Sequence, residues 1–528
     1  MLIHIRMAYE GGLAWISGKK KSSTPFFFSR ANQTRITSPN HSHPTLLRLK
    51  PFLTLTLTPH TMRLTRPSRF ERLGSIQINE LQRVIELDAG SGRSTSSSLT
   101  VSRDEFLAIE SRMAIVVLCM NEEFRTIESV FSGIPHDCLI VLVSNSNRAQ
   151  GGYNDRYETE VNILQNFCRE ADRFAIAVHQ KDPGVADAFA AAGAPELVSD
   201  DDGLVHSGKG EGMLVGMAVA ALMEREYVGF VDADNYIPGS INEYCKSYAA
   251  GFHLSRATAE HAMVRVSWSS KPKERNGRLM FDRRGRSSRV VNEWLNNLLQ
   301  EFSGYGTDCI TTGNAGEHAM TMSLALKLRM ASGFAVEPYE YLYLLEQMGD
   351  LDHHHHQNHI NHTRLDDDNN SDTLSDASSP ISPSSMSQLL SPPASPVRLG
   401  SSSNSSSSSS SRSSSRNSSL GRNGSRQQHA SVQIHQIETR NPHLHDNKGD
   451  EHVSDMRAQA LHMLYHSPMT PAPMKAALRK WMEDEGVLAV GGEVPRERVY
   501  PALGELDMAR LAGLLGGESV RRMVGGFP

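Results

Sequence analysis

The sequence contains no uninterrupted apolar stretch of the roughly 18 residues that a membrane-spanning helix requires. Runs such as "MAIVVLCM" and "CLIVLV" have the length of strands. It also has no close cysteine pair. The five cysteines (Cys119, Cys138, Cys168, Cys245 and Cys309) are odd in number and widely spaced, which excludes a disulfide framework or a C-x-x-C zinc site and points to a reducing compartment. Charge of one sign is in short supply as well. A net charge of -5 over 528 residues excludes a general nucleic-acid binder, whose mark is a concentrated basic face. What remains is 39% hydrophobic and 21% charged, the composition of a soluble, cytoplasmic protein with a disordered fraction added.

Composition divides the chain into five parts. Residues 1 to 61 hold Lys, Arg, Ser, Thr and Pro with Glu10 as the only acid. They read as a disordered extension, or as sequence upstream of a start at Met62, in preference to a transit peptide, because the amphipathic helix of a transit peptide is missing. From 62 to 350, apolar strand-length runs alternate with helical patterns. Strands are predicted at 113–118, 138–145, 174–180, 227–234 and 261–268, and helices at 154–171, 184–193, 209–224 and 317–331. This alternation implies an α/β fold with a mostly parallel sheet covered by helices, and ligands at the carboxyl ends of its strands. Residues 351 to 432 combine a four-histidine run, an acidic patch and a serine tract, a composition that cannot bury enough apolar surface to order itself. Residues 433 to 486 resume with "QIHQIETRNPHLHDNKGDEH" and two helical patterns, at 452–465 and 471–484, and are read as folding back onto the main domain. Residues 487 to 528, rich in Gly, give no signal and are taken as a tail.

Six stretches carry chemistry. "YVGFVDAD" ends a buried run in Asp232 and Asp234. Residues i and i+2 project to the same side of a strand, so the two carboxylates converge where the strand ends. As hard oxygen donors they suit Mg2+ or Mn2+. "VLCMNEE" sets Leu118, Asn121 and Glu122 at the first carboxyl edge, where a nucleotide base or ribose is within reach. "VSNSNR" offers small polar groups from Ser144 onward, suited to a sugar. "HSGKGEGM" places Lys209 in a Gly-rich turn that opens a helix, a point charge for phosphate, although the Walker A spacing is absent. "TTGNAGEHAM" presents the Gly313, Asn314, Ala315 and Gly316 amides ahead of the expected helix as an anion nest. In "ETRNPHLH", Arg440 suits an anionic acceptor, and an imidazole from His443 or His445 is a candidate for a further metal ligand. Taken singly, each stretch also has an ordinary reading as a turn, helix cap or solvated loop.

Together with "FERLGSIQINELQRVIELD", "HQKDPGVADAF", "EYCKSYAAGF" and "SGFAVEPYEY", these motifs resemble the mannosyl-3-phosphoglycerate synthase family of retaining glycosyltransferases, over roughly 62–349 and 433–470. The resemblance implies a GT-A-type nucleotide-diphospho-sugar transferase fold and a divalent metal. It also implies transfer of mannose from GDP-mannose to the 2-hydroxyl of 3-phosphoglycerate. By the same resemblance Asp234 and one of His443 and His445 bind metal, and Asp232 lies near the ribose and mannose. Lys209 meets the diphosphate or acceptor, making Asp232 and Lys209 the catalytic pair; Leu118, Asn121, Glu122 and Ser144 bind substrate. Gly313 to Gly316 with Arg440 cradle phosphoglycerate, and a homodimer is implied. The alternatives are a glucosyl-3-phosphoglycerate synthase-like transferase using another sugar nucleotide, and an inactive scaffold.

Overall fold

A computed structural model describes residues 61–65, 69–81, 84–86, 98–149, 155–235, 237–268, 270–275, 278–282, 285–349, 430–445, 449–517 and 520–525. The amino-terminal extension up to residue 60 and the low-complexity segment 351–429 lie outside these residues, as do the expectations made for them.

Uninterrupted apolar runs form the centre of a ten-stranded sheet. Its strands are β1 Arg69–Leu73, β2 Ile76–Leu81, β3 Met113–Cys119, β4 Leu139–Ser144, β5 Phe174–His179, β6 Tyr227–Asp232, β7 Ala259–Trp268, β8 His318–Thr321, β9 Ala430–Thr439 and β10 Arg521–Gly525. Their spatial order is β10-β5-β4-β3-β6-β8-β7-β9-β2-β1. Pairing is mostly parallel: β4 with β3 and β5, β3 with β6, and β9 with β7 and β2. Strand β8, antiparallel to both β6 and β7, joins the two parallel blocks.

Both faces of the sheet are covered, so strands buried on both sides need no polar alternation. Along β3 and β4, Val116 and Val141 pack with Met213 and Met217 of the helix Lys209–Leu222 on one face. Ile115, Val117 and Leu142 pack with Ile127, Leu164 and Tyr248 on the other. The helix Lys209–Leu222 is apolar nearly all round because it lies between the sheet and further helices.

The predicted strands and the helices at 154–171, 184–193 and 209–224 are found within a few residues of their expected ends. The helix expected at 317–331 is not. His318–Thr321 is strand β8, Met322–Ala325 makes a single helical turn, and Met330–Ala331 pairs with Val499–Tyr500. An apolar run this short has no decisive period, and the open ladder between β6 and β7 captures it. The segment beyond residue 487 is also more than a tail. β10 closes the sheet edge beside β5, and Tyr500 is fully buried.

Candidate active site

A cavity of about 590 Å³ opens at the carboxyl ends of β3, β4, β5 and β6, within the range of small-molecule sites. Leu118, Val143 with Asn145, Gln180, and Asp232 with Asp234 reach it from these four strand ends in turn. Its opposite wall is built by Lys271, by the start of the helix Arg286–Ser303, and by the helix Asp450–His466.

Lys209 lies at the centre of the site. Its Nζ is 2.9 Å from Asp232 Oδ2 and 3.0 Å from Glu337 Oε1. Burial by itself would lower the lysine pKa, but the neighbouring carboxylates of Asp232, Glu337 and Glu317 outweigh it and push the value up. The ammonium is therefore held charged. Gly316 closes over this cluster, where a Cβ would stand 2.3 Å from Lys209 Nζ and 2.9 Å from Asp232 Oδ2. At Gly210, a Cβ would stand 2.0 Å from the Ala331 carbonyl oxygen. The glycines flanking Lys209 thus serve close packing of the turn.

Across the cavity, Asp234 Oδ2 faces His445 Nδ1 at 3.8 Å. His443 lies deeper. Its ring stacks on Trp268 at 4.0 Å between centroids, and its Nδ1 is 3.1 Å from Tyr244 Oη, 3.3 Å from Asn235 Nδ2 and 3.7 Å from Glu317 Oε1. Glu317 is 1% exposed, and neither carboxylate oxygen has a hydrogen-bond partner. Burial and the like charge of Asp232 push it up to about 8 against the opposing pull of Lys209 and Lys271. A buried carboxyl without donors is costly unless a proton or a cation serves it. In front of it, Asp234 and the His445 imidazole offer a hard oxygen and a nitrogen donor of the kind a divalent cation takes. Among the described residues, no three His, Cys, Asp or Glu side chains converge tightly enough to complete a shell alone, which leaves positions for water and diphosphate oxygens.

The other expected residues divide. Glu122 and Asn314 line the cavity, the latter with its Oδ1 buried and without a partner. Burial raises the Glu122 pKa, Asp234 adds to the effect, and a hydrogen bond from the Met120 N–H opposes it. Asn121 is turned away. It holds a left-handed backbone at φ 64°, its N–H donates to Ser146 Oγ and its Oδ1 accepts from the Asn147 N–H, a corner that Asn tolerates. The Ser144 hydroxyl donates to buried Glu160 at 2.6 Å and does not line the cavity; its neighbours Val143 and Asn145 do. Gly313 packs on Asn292 and Leu295 behind the cavity wall, and the Ala315 carbonyl accepts from His318 Nδ1. No helix follows Gly316; from this segment Asn314, Gly316 and Glu317 line the cavity. The Arg440 N–H donates to Glu243, and Arg440 is not among the lining residues.

Glu317, Glu337, Trp268 and Lys271 were not singled out by the sequence reading. A signal for the two glutamates exists: "NAGEHAM" and "SGFAVEPYEY" each hold carboxylates in a stretch too apolar to stay in water. Trp268 and Lys271 carry no comparable mark.

The family model for mannosyl-3-phosphoglycerate synthase matches residues 66–515. The chain belongs to that family. It is 35% identical over 448 residues to a mannosyl-3-phosphoglycerate synthase of Pyrococcus furiosus, covering 85% of this chain and 95% of that protein. A second, from Aeropyrum pernix, is 30% identical, covering 84% and 94%. Among solved structures, the chain is similar to glucosyl-3-phosphoglycerate synthase from Mycobacterium tuberculosis in complex with Mn2+, uridine-diphosphate and glucosyl-3-phosphoglycerate. Identity there is 14% and the TM-score 0.37, over 72% of this chain and 88% of that one.

Proposed function

We propose that the protein is a mannosyl-3-phosphoglycerate synthase of GT-A type, transferring mannose from GDP-mannose to the 2-hydroxyl of 3-phosphoglycerate with retention of configuration. Membership of the family supports the reaction. The observation that carries the site is Lys209, held charged between Asp232 and Glu337 at the carboxyl edge of the sheet, facing Asp234 and His445.

Glu122 and Asn145 lie where the nucleoside end of the donor enters, at the ends of β3 and β4. Lys209 then sits where a diphosphate would, and its charge offsets the charge that develops as the sugar–phosphate bond breaks. Asp232, on the other side of the same ion pair, is placed to accept from sugar hydroxyls and to fix the lysine's position. Asp234 and His445 would hold a divalent cation, with Glu317 and His443 packed behind them. When bound, such an ion offsets phosphate charge without a proton transfer. The walls do the rest by orienting two anionic substrates in one cavity.

The test is GDP release from GDP-mannose by the purified protein, with and without 3-phosphoglycerate and with and without Mg2+. Release that needs both is expected. Acceptor-independent release, or none, would sink the assignment. Faster turnover with UDP-glucose would favour the glucosyl alternative.

A further inference from the structure

The chain carries a net negative charge, yet residues 271 to 286, "KPKERNGRLMFDRRGR", hold seven basic residues and two acidic ones. Lys271–Arg275 and Arg278–Asp282 pair antiparallel as a two-stranded hairpin. Among the described residues the two strands pair only with each other and stand apart from the main sheet. The hairpin leaves the cavity wall at Lys271 and returns to it at Gly285 and Arg286, so both of its roots line the cavity. These roots lie on the wall opposite Lys209 and the β3 to β6 strand ends. Arg278 is exposed.

Register makes the charge harder to explain by folding. Arg275 and Arg278 are direct partners across the ladder, and like charges directly opposite one another destabilise a strand pair. A free-standing two-stranded ribbon is marginal in any case. Lys271 stands opposite Asp282 in the ladder, but Lys273 stands opposite Met280 and Arg275 opposite Arg278; a multiply charged anion approaching the cavity from this side gives that unbalanced positive charge a use. Lys271 extends the same field inward, with its Nζ 4.6 Å from the centre of the Trp268 ring.

We propose that this hairpin is an electrostatic guide for the acceptor: it draws a phosphorylated small acid, the more densely charged of the two substrates, to the cavity wall between Lys271 and Arg286. The inference rests on the transferase reading for the identity of the acceptor. It adds a role in capture, separate from the chemistry at Lys209.

The test neutralises the outer hairpin and leaves both roots intact, with the triple variant Lys273→Gln, Arg275→Gln and Arg278→Gln. Steering of this kind changes association by about tenfold or more at low salt. The KM for 3-phosphoglycerate should therefore rise about 5- to 10-fold near 0.01 M ionic strength. The rise should vanish by about 0.5 M, where screening shortens to a few ångströms. The kcat and the KM for GDP-mannose should stay within about twofold. The charge-keeping pair Arg275→Lys and Arg278→Lys should behave as wild type. An unchanged acceptor KM at low salt, an equal rise in the donor KM, or a salt-independent loss would each overturn the proposal. If the wild-type protein transfers no sugar, the transferase reading falls on its own, and calorimetric binding of 3-phosphoglycerate decides: equal affinity in wild type and triple variant overturns the guide, and weaker, salt-sensitive binding by the variant upholds it.

Discussion

Two histidines two residues apart meet very different surroundings. His443 is buried, stacked on Trp268 and engaged at Nδ1 by Tyr244 and Asn235, while His445 presents its Nδ1 to Asp234. Burial, with Lys271 and His445 acting the same way, holds the His443 pKa well below the ordinary range. On the function proposed above, His445 would be the metal ligand and His443 its support. His445→Ala should weaken Mn2+ binding, measured by titration calorimetry in the presence of GDP, by at least about tenfold. His443→Ala should chiefly lower the melting temperature, by several degrees. Reversed outcomes would exchange the two roles.

At the scale of single elements, β9 does the most to assemble the site and was the hardest to read. Gln436 Oε1 accepts from the N–H groups of Thr311 and Thr312, and its Nε2 donates to the Cys309 carbonyl, so β9 fixes the loop leading to Gly316 and Glu317. Next to it, His435 is buried between Asn79 and Ser255, and burial lowers its pKa to about 4. Unfolded, it titrates near 6.5, so the unfolded chain binds the extra proton between these values. This contribution to stability is complete above pH 6.5 and is lost as pH falls towards 4, about 1–3 kcal/mol in all. Thermal melts of wild type against His435→Gln over that range should show a shallower acid slope in the variant. Parallel slopes would mean that His435 is not the group responsible. Strands β3, β4, β5 and β6 were legible because their apolar runs need nothing outside themselves to explain burial. "VQIHQIET" was legible only as a segment that folds back, because its Gln and His are buried through partners more than a hundred residues away. The acidic ends at Asp232 and Asp234 could be read from local strand geometry, whereas Glu317 shows in the sequence only as a carboxylate in an apolar stretch, its role being set by which loops close over it.

For the whole molecule, the two ends of the low-complexity segment meet at one residue. The Ser75 hydroxyl donates to the Met348 carbonyl, and the Ser75 carbonyl accepts the Ser431 N–H at 2.9 Å. A short linker between these ends therefore leaves β9 in register. Deleting residues 355–428 should leave kcat and KM within about twofold and the melting temperature nearly unchanged, since loop length alone alters stability weakly. A large loss in either would show that the segment takes part in folding or in the site. The carboxy-terminal part is a different matter. Tyr500 Oη donates to Glu211 at 2.7 Å, in the turn that carries Lys209, and Glu211 also accepts the Gly333 N–H.

Strand β9 lies between β7 and β2, yet is made after both and after the long low-complexity tract. On the ribosome, then, a gap stands open between β7 and β2, towards one end of the sheet, until residue 439 has emerged, with two unpaired strand edges facing it. Such edges recruit foreign strands, so chains interrupted before that point would be sticky, inactive fragments and a natural load on chaperones.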